Sequence, residues 1–389
     1  VQALTLTDDV VEFMALQLQK LPKDTQDILK LAACIGADFD FNTLAIVSQK
    51  PTNVTAVALW KALQEGLIIP TTKVYKFLAE SEDQEVLNSA ANPTYRFLHD
   101  RIQQASYSLI HDDQKQATHL QIGQLLQHNL SPTEAEEKLF DIVGHLNLGH
   151  GLITDTKERE TLAQINLSAA KKARNSTAYV AARNFVETGL ELLAADCWQS
   201  QYKLTLNIYV SATEVAYLNA DFERMEKLST IVLKSAKYIL DKVKIYEIKI
   251  NALTAQSRML EAIAVADNAL KELGVEFSSQ PDEALTAKTL ATISQQLEGK
   301  KIEDLVNLPV MEDPETLAAM ELLGILFAPI FLGNPTILPL LGFTMVNLSL
   351  RFGNAPISTI GYAIYGMVLS AFLGEVKKGY QFGRVALIL

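Results

Sequence analysis

Short polar turns recur through the second half of the chain at spacings that suit stacked pairs of helices. Asn175-Ser-Thr-Ala-Tyr179, Asn219-Ala-Asp-Phe222 and Gln256-Ser-Arg-Met259 each separate a longer helical run from one carrying regular small residues. Tyr179 to Phe222 is 43 residues and Phe222 to Met259 is 37. A further turn, Leu373-Gly-Glu-Val376, ends 117 residues after Met259, three units of about 39. Small residues stand where such helices must approach closely: Ala182 and Gly189, then Ala262, Ala266 and Ala269, then Gly379 and Gly383.

The pattern is tetratricopeptide-like but degenerate. Its Trp, Leu-Gly and Tyr constellation is missing, so periodicity carries the reading. Helix pairs of this kind build an extended surface suited to a protein or peptide ligand.

The N-terminal part reads differently. Helical patterns over Leu4 to Leu18, Lys23 to Ile35, Thr43 to Ser48 and Val54 to Gln64 precede two strand-like runs, Leu67 to Thr72 and Thr94 to Leu98. A polar stretch from Glu80 to Asn92 separates the strands, and Asp100 to Leu109 is helical again. This order predicts a winged-helix-like domain over 1–112. Linking helices follow over 113–156, opening at His111-Asp-Asp113 and again at Ser131-Pro132, and a tetratricopeptide-like α-solenoid covers 157–389. The predicted fold class is mainly α. Neither Val1 nor the helical run ending at Leu389 reads as a natural terminus, so the expectation is a piece of a longer protein.

A formal charge of −11 lacks the clustered cations that phosphate contacts demand, and argues against nucleic acid as a partner. Cys34 and Cys197 are too far apart for a disulfide framework or thiolate metal site, which fits reduced, buried thiols in a cytoplasmic protein. Arg351 is the only charged residue between Glu321 and Glu375, so Leu322 to Leu350 has the length of a membrane span. Pro329, Pro335 and Pro339, with a Gly333-Asn334 turn, break it up, and Asn347, Ser349, Asn354, Ser358 and Thr359 interrupt its apolar face. Those breaks favour the inner layer of a folded domain over a bilayer.

Catalytic templates fail. The chain has no phosphate-cradling Gly-rich loop, no nucleophile elbow and no His-Glu-x-x-His pair. His145 and His150, five residues apart with no Cys or carboxylate beside them, read as helix-end groups capping carbonyls rather than metal ligands. His111, His119 and His128 read as solvated or partly buried residues of one amphipathic helix. We therefore expect no catalytic residue, no metal and no cofactor in this segment. One run stands apart, Tyr95-Arg-Phe-Leu-His-Asp-Arg101, where the last strand meets the last helix of the N-terminal domain. His99, Asp100 and Arg101 could contact a nucleotide phosphate held by a neighbouring domain. The plainer alternative is that Asp100 caps the helix and His99 packs locally.

Leu21 to Gly36, Tyr95 to Tyr107 and His119 to Leu126, with the later runs Val346 to Leu350, Gly361 to Gly366 and Gly379 to Gly383, resemble the region after the ATPase core in large bacterial multi-domain sensor kinases. The resemblance covers essentially the whole chain. It implies a parent with a serine/threonine kinase domain, a STAND (AAA-type) ATPase module using ATP/ADP, this segment, a GAF domain and a histidine kinase. It further implies that His99 faces bound ADP with Asp100 as its support, and that the neighbouring ATPase and kinase domains are partners. The expected function is a non-catalytic regulatory and protein-interaction segment coupling nucleotide state to kinase output. The alternative is a winged-helix DNA-binding regulator with a tetratricopeptide-like effector arm. Against it, the candidate recognition helix Val54 to Gln64 holds Lys61 as its one basic residue.

Overall fold

The computed structural model describes residues 11–72 and 92–389. The expectations for 4–10 and for most of Glu80 to Asn92 fall outside that range. The chain divides into two compact units. One runs through Ala169 and includes Glu191–Leu193; the other holds Ala170–Leu190 and Ala194–Leu389.

In the first unit, a helical segment over 11–18 precedes α1 (Lys23–Ile35), β1 (Asp38–Asp40), α2 (Phe41–Ser48), α3 (Thr52–Gln64), β2 (Ile68–Pro70), β3 (Thr94–Phe97) and α4 (Asp100–Ser108). The strands form one antiparallel sheet in the order β1-β3-β2, with Phe39 opposite Tyr95 and Ile68 opposite Phe97. Sequence reading missed β1: three residues are too few to display alternation, and pairing to a strand more than 50 residues away fixes it. Ile28, Leu29, Ala32, Leu44, Leu59 and Ala62 pack with Phe39, Tyr95 and Phe97 into one core. Then come α5 (Asp112–Asn129), α6 (Pro132–Glu137) and α7 (Leu139–Leu148). Ser131 starts α6 with a full capping box, exchanging bonds with Glu134. Asp40 joins these parts. Its carboxylate caps α2 at Thr43 N–H (2.8 Å) and takes bonds from Asn92 Nδ2 (2.7 Å) and Lys138 Nζ (2.5 Å). Burial pushes its pKa up, but the bonds from Lys138, Asn92 and Thr43 outweigh that and hold it below the ordinary value.

The second unit carries the hairpins predicted from the turn spacing. Helix α8 (Thr156–Asn175) enters it and turns into α9 (Tyr179–Leu192). After the short α10 (Cys197–Ser200), α11 (Tyr202–Leu218) pairs with α12 (Phe222–Ser235) and α13 (Ile239–Ala255) with α14 (Met259–Glu272), while α13 also packs on both α11 and α12. This is stacked α-hairpin architecture, an α-solenoid. The three turns share one geometry. Thr177, Ala220 and Ser257 have φ of 58°, 57° and 60°. The following N–H of each turn reaches back to Ala173 O, Ala216 O and Leu253 O at 2.9 Å, and the left-handed residue itself to Arg174 O, Tyr217 O and Thr254 O at 2.9 Å. These are Schellman closures built without the usual glycine.

A side chain at positive φ costs roughly 1 kcal/mol, and these three residues are exposed with nothing to lose by truncation. Ala220→Gly and Ser257→Gly are each expected to stabilise the chain by about 1 kcal/mol in urea denaturation, less the entropy gained by the unfolded chain. Destabilisation by either would mean the turn geometry is misread.

Between Met259 and Val376 the regular alternation lapses. Helix α15 (Glu283–Leu297) lies mainly against α18 (Leu338–Phe352), and α16 (Pro314–Ile325) and α17 (Phe327–Gly333) cross α13 and α14. Prolines explain the breaks: Pro314, Pro335 and Pro339 sit at the first or second helical position, where no donor is missed. Regular pairing resumes with α18 on α19 (Ser358–Ala371) and α19 on α20 (Val376–Ile388), closed at Gly374 (φ 71°). The apolar stretch lies largely in this core, with Leu322, Leu323, Leu326, Ile330, Leu341 and Met345 fully buried. Among the described residues one stretch, Pro314–Gly333, is long and apolar enough to cross a membrane, and half of it is buried. The polar residues that interrupt the stretch are paired. Asn354 donates to Leu305 O (2.8 Å) and accepts from Tyr362 Oη (2.9 Å), and Ser349 meets Ser358 at 2.8 Å.

Candidate functional site

The end of β3 delivers its residues outward in sequence. Tyr95 and Phe97 point into the core, and the chain leaves the strand through the exposed Leu98. His99 occupies the N-cap position of α4 in extended conformation (φ −144°, ψ 145°) and makes no side-chain cap bond. Asp100 is the first helical residue. It adds favourable negative charge to the first turn but caps nothing, contrary to the plainer alternative, and His99 is exposed rather than packed. Arg101 is half-buried on the first turn. Ile102 N–H bonds to His99 O at 2.9 Å, which fixes the backbone, and among the described residues the three side chains have no hydrogen bond or ion pair. An imidazole, a carboxylate and a guanidinium thus occupy consecutive positions of a strand–helix junction, with no side-chain partner among the described residues.

The other histidines behave differently from one another. His150 Nδ1 lies 2.6 Å from Asn147 O, the carbonyl contact expected of it, and the exposed His128 places Nδ1 2.7 Å from Gln124 O. His145 makes no such contact. It is buried, and its Nδ1 lies 2.9 Å from Nδ1 of the equally buried His119, with the rings stacked at 5.1 Å. His119 Nε2 continues the chain to Tyr107 Oη at 3.0 Å. One Nδ1 must donate and the other accept, so the two rings cannot both be doubly protonated while the contact lasts. Burial, reinforced by His119, pushes His145 down to about 4, and burial also lowers His119. His145 is therefore not the carbonyl-capping ring expected, and His119 is buried where a solvated or partly buried ring was expected: sequence spacing cannot reveal that α5 and α7 pack face to face. Among the described residues no group of three or more His, Cys, Asp or Glu could hold a metal ion.

Helix α3 presents Val54, Val57 and Trp60 to solvent, and its one cation, Lys61, pairs with Glu65 at 3.0 Å. That surface is apolar where a DNA-reading helix needs cations.

No protein-family model matches the chain. Its whole length aligns, at 25% identity over 449 positions, with a hybrid signal transduction histidine kinase, G, of Dictyostelium discoideum, and spans 13% of that protein. A solved signal transduction ATPase with numerous domains (STAND) and a tetratricopeptide repeat sensor, from Pyrococcus horikoshii, shares 10% identity at a TM-score of 0.35, covering 95% of this chain and 52% of that one. The chain is thus similar over its full length to one segment of a much longer signal-transduction kinase.

Proposed function

We propose that this chain is a non-catalytic regulatory and protein-interaction segment of a multi-domain signal-transduction kinase, and that its N-terminal unit senses the nucleotide held by a neighbouring STAND ATPase module. The observation that carries the reading is the free cluster at the start of α4. His99, Asp100 and Arg101 are held by backbone bonds, and no partner in the described residues occupies their side chains. Such a group can bond a phosphate offered from outside. The element order, helix, strand, helix, helix, strand, strand, supports a winged-helix identity for the unit. The full-length similarity to a histidine kinase segment supports the signalling role.

In this reading the sensor biases a two-state packing of its neighbours, and the hairpin stack offers a surface to protein partners. ATP or ADP would belong to the neighbouring module, and no turnover is expected from this segment alone. The test is His99→Ala in the full-length kinase. Because His99 is exposed, folding should be unchanged, while ADP affinity or basal kinase output shifts several-fold, as loss of a charge-assisted bond implies. Unchanged values for both would remove the sensor role.

A further inference from the structure

We infer that the second unit carries a recognition site for a terminal carboxylate with an N–H beside it, centred on Arg351. Arg351 is the single charge in a long apolar stretch. It ends α18 with its guanidinium 4.9 Å from the Phe352 ring, and among the described residues no carboxylate pairs with it. It opens on a cavity of about 460 Å³, within the size range of small-ligand sites. Two further charges line that cavity, Lys288 and Glu276, and they neutralise each other at 2.6 Å. The uncompensated charge is therefore that of Arg351.

Apart from that ion pair, the polar lining divides into two donor side chains, Arg351 and Asn347, and four threonines, Thr289, Thr292, Thr316 and Thr344, whose hydroxyl protons are spent locally. Asn347, one turn before Arg351, accepts from Gln296 Nε2 through Oδ1 at 3.1 Å, so its amide hydrogens remain to be given. Arg351 and Asn347 thus give donors from α18, while Thr344 of the same helix donates to Leu340 O (2.8 Å) and is left to accept. Thr289 and Thr292, on the facing α15, spend their hydroxyl protons on Leu285 O (2.8 Å) and Lys288 O (2.9 Å). Their lone pairs are left to accept. Leu273, Val275, Leu348 and Phe352 supply apolar wall between. A carboxylate fits the Arg351–Asn347 side, where guanidinium can bond both oxygens, and a neighbouring N–H fits the threonine side. A phosphate group, with more charge and no donor, matches only half of this lining. Both a free amino acid and the last residue of a polypeptide present the required groups.

The test is calorimetric titration of the intact chain with N-acetyl-leucyl-leucine, its C-terminal amide twin, and free leucine. The carboxylate dipeptide should bind saturably, and the amide about tenfold more weakly or worse. Arg351→Gln should lose a similar factor with its melting temperature unchanged, Arg351→Lys should retain part, and Thr292→Val should weaken the dipeptide too. Leucine binding as tightly as the dipeptide assigns the site to free amino acids; weaker leucine binding assigns it to chain ends. Equal affinity for acid and amide, indifference to Arg351→Gln, or no saturable binding of any carboxylate probe would overturn the proposal.

Discussion

Lowering the pH from 6.5 to 4 should cost the first unit roughly 3 kcal/mol through His145 alone. In the unfolded chain His145 takes a proton near its ordinary value of 6.5, whereas burial between α5 and α7, with His119 against it, holds the folded value at about 4. Between those limits the unfolded state binds a proton that the folded state refuses, so stability is full above 6.5 and falls as the pH drops towards 4. Burial pushes His119 in the same direction, and its contribution has the same sign. The groups facing the pair are Tyr107, bonded to His119, and Lys115, which lies 4.8 Å over the Tyr107 ring and pairs with Asp112 at 2.6 Å. Both lysine and phenol keep their protonation state across that range. The measurement is urea denaturation at several pH values, comparing the natural chain with His145→Leu. Other titrating groups are common to both, so the variant should lose markedly less stability on acidification. Parallel pH profiles would show that the buried pair does not control the acid response.

Gly366→Val should disrupt the last hairpin, at a cost of about 3 kcal/mol or more. A Cβ at Gly366 would lie 2.7 Å from Gly379 O and 3.2 Å from Gly383 N. Both are backbone atoms of α20 that no rotamer change can move, so the two helices must separate. Separation also opens the edge-to-face contact of Tyr365 with Phe382, whose centroids are 4.7 Å apart. Gly383→Ala is the matched control, because nothing lies within 4 Å of its Cβ. It should be neutral or gain up to about 1 kcal/mol from helix propensity. Hydrogen exchange should show lost protection over α20 in Gly366→Val while α11 to α14 stay protected. Retained protection over α20 would mean that the helices cross elsewhere.

The glycine pair also marks a boundary of sequence reading. Gly379 and Gly383 are equivalent in the sequence pattern, four residues apart on one helix, yet Gly379 faces the backbone of α19 and Gly383 faces open space. Periodicity identified the face and could not rank its members. The run from His99 to Arg101 was legible as a junction because strand alternation stops at Phe97 and helical spacing begins at Ile102. Whether those side chains were spent locally was not legible, since a cap bond depends on backbone angles at His99. Arg351 stood out in the sequence as a lone charge, but its cavity is closed by α16, by α15 and by the loop after α14, the last two more than 50 residues earlier.

The amino-acid order by itself determined where helices begin and turn back. Helix hydrogen bonds and left-handed closures at Thr177, Ala220 and Ser257 reach no further than five residues, so their signals lie within one short window. Tertiary structure alone decided which helix meets which: the β1 pairing, the His119–His145 contact and the packing of α15 on α18 rather than α14. Those outcomes rest on burying apolar area, a force without direction, and only the whole set of competing surfaces in three dimensions selects among them.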